Sequence, residues 1–148
     1  MIQRIQSIFL LLVAVCFFSL FGLNFVDIES ADTANLTFLQ DSEFNVHDHV
    51  IFLILAGIGG GLALLVIFLF NNRSLQMRLS YILIVFALMI PLLGVLLFQQ
   101  EWNSIPANTL VDIEYGVIPP VLAIIFAALA IRFIKKDEKL VRSMDRLR

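Results

Sequence analysis

A chain of 148 residues that is 60% hydrophobic and 15% charged, with a mean hydropathy of +0.95, is too apolar for an ordinary water-soluble domain, whose apolar share is nearer ~45–50%. Its formal charge of −2 hides a segregation of basic and acidic residues into different segments. A single cysteine, Cys16, excludes an internal disulfide and a C-x-x-C redox pair, and no Cys/His cluster has zinc spacing.

The first apolar run covers residues 8–26 and follows a short basic start. It is closer to the ~20 residues that cross a ~30 Å hydrocarbon core than to a signal-peptide core of ~7–15, and no A-x-A site follows it. Residue 15, before Cys16, is valine, which also argues against a lipoprotein signal. The run is therefore expected to be an uncleaved first span.

Residues 27–49 are polar and acidic and contain no Lys or Arg, as an aqueous loop requires. Short alternating patches at residues 26–29 and 36–39, and another at 111–115 in the second loop of the same side, resemble brief strands. Residues 50–70 and 79–98 are uncharged runs of spanning length. The connection between them, residues 71–78, is short enough to force an antiparallel hairpin. Residues 99–116 form the second outer loop, with Trp102 and Tyr115 near its ends, where amphipathic rings sit at a membrane boundary. The fourth span covers residues 117–134. Pro119 and Pro120 lie in its first turn, where a missing N–H costs little, and Arg132 is near enough to the far end to snorkel.

The predicted fold is a single all-α integral membrane domain, an antiparallel four-helix transmembrane bundle. An even number of spans puts all ten basic residues on one side: Arg4, Arg73, Arg78, Arg132, Lys135, Lys136, Lys139, Arg142, Arg146 and Arg148. The positive-inside rule makes that side, with both termini, the cytoplasm. Asp27, Glu29, Asp32, Asp41, Glu43, Asp48, Glu101, Asp112 and Glu114 lie opposite.

Residues 135–148 are predicted to continue the fourth span as an amphipathic helix, because no Gly or Pro interrupts residues 121–148. Phe133, Ile134, Leu140, Val141, Met144 and Leu147 share one stripe. Lys135, Lys139, Arg142 and Arg146 take the opposite side. Glu138 and Arg142 at i,i+4 add a few tenths of a kcal/mol, about what such pairs contribute. The tail is therefore expected to be held by a surface, either anionic lipid or a protein partner able to satisfy Asp137, which falls within the stripe.

Within the second span, A-G-I-G-G-G places Gly57 and Gly61 at G-x-x-x-G spacing, and Gly59 and Gly60 repeat small-residue spacing on adjoining faces. Ala123 and Ala127 offer the fourth span a matching small face, so close helix packing is expected there. A phosphate-binding loop is excluded by the hydrophobic context. Pro91 removes one backbone hydrogen bond from the third span and is expected to bend it. His47 and His49 lack a third fixed ligand for a metal, and Asp48 is read as the favourable charge at the start of the second span. The span interiors contain no Asp, Glu, Lys, Arg or His, the residues that mark ion paths and proton relays. Proton-coupled export, quinone-linked disulfide chemistry and intramembrane proteolysis all lack their residues.

Three stretches, M-I-Q-R-I-Q-S at residues 1–7, N-R-S-L-Q-M-R-L at 72–79 and K-D-E-K-L-V-R-S-M-D-R-L-R at 136–148, together resemble the small bacterial four-span membrane proteins of domain-of-unknown-function family 4293. The likeness covers the whole chain and is most specific in the tail, where Met144 departs from an expected small residue. It implies no activity and no assigned site residues. All three stretches lie on the side read as cytoplasmic, which makes the inner face the place for a partner.

The expected function is that of a non-catalytic accessory or scaffold component of the bacterial inner membrane, without cofactor or metal. Lys135, Lys136, Lys139, Arg142, Arg146 and Arg148 would contact membrane lipid, anionic in particular, or a cytosolic or membrane protein. No nucleic-acid partner is expected. The alternative is a subunit of a small oligomeric transporter or channel, whose polar pore lining only an oligomer would assemble.

Overall fold

The computed structural model describes residues 5–29, 42–102 and 110–145. Their order is α1 (Ile5–Ser19), a 3-10 turn, β1 (Val26–Glu29), β2 (Glu43–Phe44), α2 (Val50–Phe68), α3 (Arg73–Trp102), β3 (Leu110–Ile113), a second 3-10 turn and α4 (Ile118–Asp145). Four of these helical segments are long and apolar enough to cross a membrane.

The boundaries follow from local chemistry. The first span is shorter than the run of residues 8–26, because the chain becomes extended at Leu23 and enters β1. The connection after α2 is tighter than residues 71–78: Asn72 accepts the Leu75 N–H through Oδ1 at 3.2 Å, a side-chain cap that starts α3 at Arg73. Pro91 lies inside α3. Pro119 and Pro120 occupy the first turn of α4, where their missing N–H groups have no intrahelical partner to lose. From there α4 runs unbroken to Asp145, so the tail and the fourth span are one helix this far. At 1.5 Å per residue the part beyond Ile134 is ~16 Å long.

Each long helix packs on two others in the cyclic order α1, α2, α3, α4. Pairs run in opposite directions: Phe9 near the start of α1 stacks on Phe133 late in α4 with ring centroids 5.3 Å apart. The termini end therefore gathers the start of α1, the end of α2, the start of α3 and the later part of α4. In this ring α2 and α4 are diagonal, so Ala123 and Ala127, although buried, do not form the matching face for the glycines of α2. That face belongs to α1, whose aromatic rings lie against α2. A Cβ on Gly59 would fall 2.7 Å from the Phe17 ring, and one on Gly60 2.8 Å from Phe18. The Gly57/Gly61 pair is not the point of close approach: a Cβ on Gly57 would be 4.0 Å from Phe21, and one on Gly61 would meet nothing within 4 Å.

The other end carries a three-stranded antiparallel sheet in the order β2-β1-β3. Residues 26–29 are a strand, as their alternation indicated; the third strand begins one residue earlier than 111–115 and stops before Glu114. The patch at 36–39 lies outside the described residues. Val26 pairs with both Phe44 and Ile113, and Asp27 with both Glu43 and Asp112. Cross-strand partners share a face and neighbours alternate, so Val26, Phe44 and Ile113 form one side and a row of carboxylates the other. Beneath the sheet, Phe44 packs against Phe25, Phe52 and Phe98, with ring centroids 5.9 to 6.3 Å apart. Gly116 closes the crossing of the two loops: its N–H donates to Asn24 O at 2.8 Å, and any Cβ there would collide with that carbonyl.

Two consequences are measurable as shifts of the melting midpoint in mild detergent. Gly59→Leu and Gly60→Leu should each cost about 1–3 kcal/mol by overpacking, whereas Gly61→Leu should be tolerated. Asp27→Asn should hold or raise stability, by a few tenths of a kcal/mol, because like charges directly opposite each other on a sheet are unfavourable.

Candidate functional site

Polar side chains inside these helices cluster at the termini end. Gln6 of α1 and Gln76 and Ser80 of α3 are the buried polar residues among those described, at 2%, 0% and 0% exposure. Gln76 Nε2 donates to Val66 O at 3.1 Å, a carbonyl in the last turn of α2 that also accepts the N–H of the C-cap residue Leu69 at 3.2 Å. Its Oε1 accepts from Gln6 Nε2 at 3.4 Å, and its own carbonyl accepts the Ser80 hydroxyl at 2.8 Å. One side chain thus joins α1, α2 and α3. Gln6 Oε1 is left without a partner among the described residues.

α4 is tied to the same end. The Arg73 guanidinium donates to Asp137 O at 2.9 Å. Lys135 Nζ donates to the Tyr81 hydroxyl at 3.0 Å and lies 5.7 Å from the centre of that ring, within cation–π range. The apolar stripe read along the tail is consumed internally where it begins, since Phe133 stacks on Phe9 and Ile134 is fully buried. Asp137 enters through its backbone carbonyl.

On the outward side of α4, Arg132, Lys135, Lys136 and Lys139 are exposed and border one shallow hollow. The spacing of three and four residues puts them on one helix face. Arg142 lies within α4; Arg146 and Arg148 fall outside the described residues. Arg132, read from the sequence only as a snorkelling residue at the span end, belongs to this row. Gln6, Gln76, Ser80 and Tyr81 were not singled out, because attention to ionisable groups passes over neutral amides and hydroxyls. The signal available was Gln76 and Ser80 at i,i+4, both polar on one face of a helix that is otherwise apolar there.

The histidines separate. His47 Nε2 lies 3.1 Å from Phe21 O, whereas His49 Nδ1 accepts the Ile51 N–H at 3.2 Å and caps α2. The cap is thus His49, while Asp48 Oδ2 accepts the Asn45 N–H. Among the described residues no three His, Cys, Asp or Glu side chains are placed to hold a metal ion.

The amide cluster can be tested by a double-mutant cycle in detergent. Gln76→Met should cost about 1–3 kcal/mol, because it removes the bond to Val66 O and strands the Gln6 amide. Gln6→Met should cost less, since it also removes the unpartnered Oε1. The pair should couple by about 0.5–1.5 kcal/mol, in the range of polar contacts between membrane helices. Strict additivity would show that the two amides do not interact.

Four of the residues that tie this end together fall within the three stretches set apart in the sequence: Gln6 in the first, Arg73 and Gln76 in the second, Asp137 in the third. No curated protein and no solved structure matches the chain. A family model described as "Domain of unknown function (DUF4293)" matches residues 2–147, and the chain belongs to that family.

Proposed function

We propose that the protein is a non-catalytic component of the bacterial cytoplasmic membrane. Its four long helices cross the bilayer as an antiparallel bundle with both termini in the cytoplasm, and the basic row on α4 binds anionic phospholipid headgroups. The observation that carries this reading is the division of labour on one helix. The apolar side of residues 131–134 is taken up by α1, while Arg132, Lys136 and Lys139 remain exposed and Lys135 leans on Tyr81.

A protein partner docking on the start of the amphipathic stripe would need that apolar side, whereas further along the stripe Val141 is exposed. A lipid headgroup needs only the cations, each contributing ~1 kcal/mol near an anionic surface. The orientation rests on charge: the sheet and the residue that follows it carry Asp27, Glu43, Asp112 and Glu114, and the termini end carries the basic residues. Held by Arg73 and by Phe9, α4 presents its cations in a fixed row, so less side-chain and backbone entropy is lost on binding.

Two measurements test this. A reporter active only outside the cytoplasm should be silent when fused after Arg148 and active when inserted between residues 30 and 41; activity after Arg148 would overturn the topology. In nanodiscs of mixed phosphatidylglycerol and phosphatidylcholine, the triple variant Arg132→Gln, Lys136→Gln, Lys139→Gln should retain anionic lipid about a hundredfold less well. That difference should shrink as salt is raised. Equal retention by the variant and the unaltered protein would refute headgroup binding.

A further inference from the structure

A second hollow lies at the opposite end from the basic row. It is an apolar cavity of about 690 Å³ between the sheet and the outer halves of α3 and α4. Phe44 and Ile113 come from the sheet, Pro91, Gly94 and Phe98 from α3, and Pro120 from α4; Gln99 is the one polar side chain in the described lining. The size and character are those of a small-molecule site, ~300–1,000 Å³ and mainly apolar. It is a departure from the close packing of the rest of the molecule, where Leu10, Val13, Phe52, Leu83 and Ala87 are wholly buried.

Two features make the space. Gly94 offers no side chain, and a Cβ there would make only ordinary contact, 3.8 Å from Phe44. The sheet turns Val26, Phe44 and Ile113 to one face through its register, so an apolar roof covers helices that would otherwise end at the boundary. From Ile90 to Phe98 the hollow follows α3 for ~12 Å, within the apolar run of that helix. Its rim is open and apolar, with Val95 57% and Ile113 78% exposed.

We infer that this cavity holds an acyl chain of a zwitterionic phospholipid from the leaflet on the sheet side. The inference rests on the membrane-spanning reading but not on the basic row. An apolar hollow whose rim lies in hydrocarbon is filled by hydrocarbon, because lining atoms facing a void lose their dispersion contacts. Charge selects the headgroup. The described residues of this end carry Asp27, Glu43, Asp112 and Glu114 and no Lys or Arg, so a net-anionic lipid meets repulsion where a zwitterionic one does not.

The test uses the full-length protein in nanodiscs containing a trace of phosphatidylethanolamine with a photoreactive diazirine in its acyl chain, followed by digestion and mass mapping. Adducts should concentrate several-fold on residues 90–99 and 111–120 over exposed, unroofed positions such as Ile54 and Leu65. Gly94→Leu, which fills the hollow, and Ile113→Trp, which blocks its rim, should each remove that excess. Gly61→Leu, placed where a Cβ meets nothing, should leave it intact. The same chain carried on phosphatidylglycerol should label the cavity several-fold less. Labelling spread evenly along all lipid-facing positions, or an excess unchanged in both Gly94→Leu and Ile113→Trp, would overturn the acyl-chain site. Equal labelling from phosphatidylglycerol would overturn the headgroup choice. Absence of labelling on every helix would instead refute the membrane-spanning reading itself.

Discussion

A buried amide at the start of α3 sets the arrangement of the termini end. Gln76 sits where a helix begins, so its side chain reaches across to the Val66 carbonyl in the last turn of α2, and its oxygen is available to a donor on α1. In a low-dielectric interior an unpaired amide is costly, and a paired one therefore fixes position and register. Apolar side chains alone give little such discrimination in lipid, because a leucine facing a neighbouring helix and one facing an acyl chain are in similar surroundings. The Gln76 contacts specify which ends meet, and the aromatic and glycine contacts then determine how closely.

Close approach is concentrated between α1 and α2. Phe17 and Phe18 lie close against Gly59 and Gly60, a packing of large rings on bare backbone that brings two helices together without any polar contact. Between α1 and α4 the filling is different: Phe9 meets both Phe126 and Phe133, and alanines at 123, 127 and 130 leave room on α4. Thus α1 is the helix that touches small residues on one neighbour and supplies aromatic stacking to the other.

The two ends of the molecule solve different problems. At the termini end, helix ends are joined by side chain to backbone bonds from Gln76 and Arg73, which leaves the exposed face of α4 to its cations. At the sheet end, the loops are held by backbone pairing, with Glu114 N–H to Phe25 O and Gly116 N–H to Asn24 O extending the strand contacts. The acidic row then faces away from the helices, and the phenylalanines face down. An amphipathic sheet over a gap between helices produces a hollow where four helices alone would have closed by leaning together.

Read alone, the sequence determined the number of helical runs, their approximate limits, the alternating strand at residues 26–29 and the continuity of α4. These depend on run length, local alternation and the absence of Gly or Pro, all of which are properties of neighbouring residues. It also contained the three stretches that identify the family, although not the reason they occur together. Only the tertiary structure decided which helices are neighbours, because residues on the inside and outside of a lipid-facing helix are equally apolar: Phe52 is buried and Ile54 is 51% exposed, and nothing in their chemistry distinguishes them. Gly57, Gly59, Gly60 and Gly61 spread around the helix at ~100° per residue, so spacing could not select the pair that meets Phe17 and Phe18. The same holds for Gln6 and Gln76, separated by 70 positions. Their meeting depends on the return of the chain through two helices, and no local pattern encodes it.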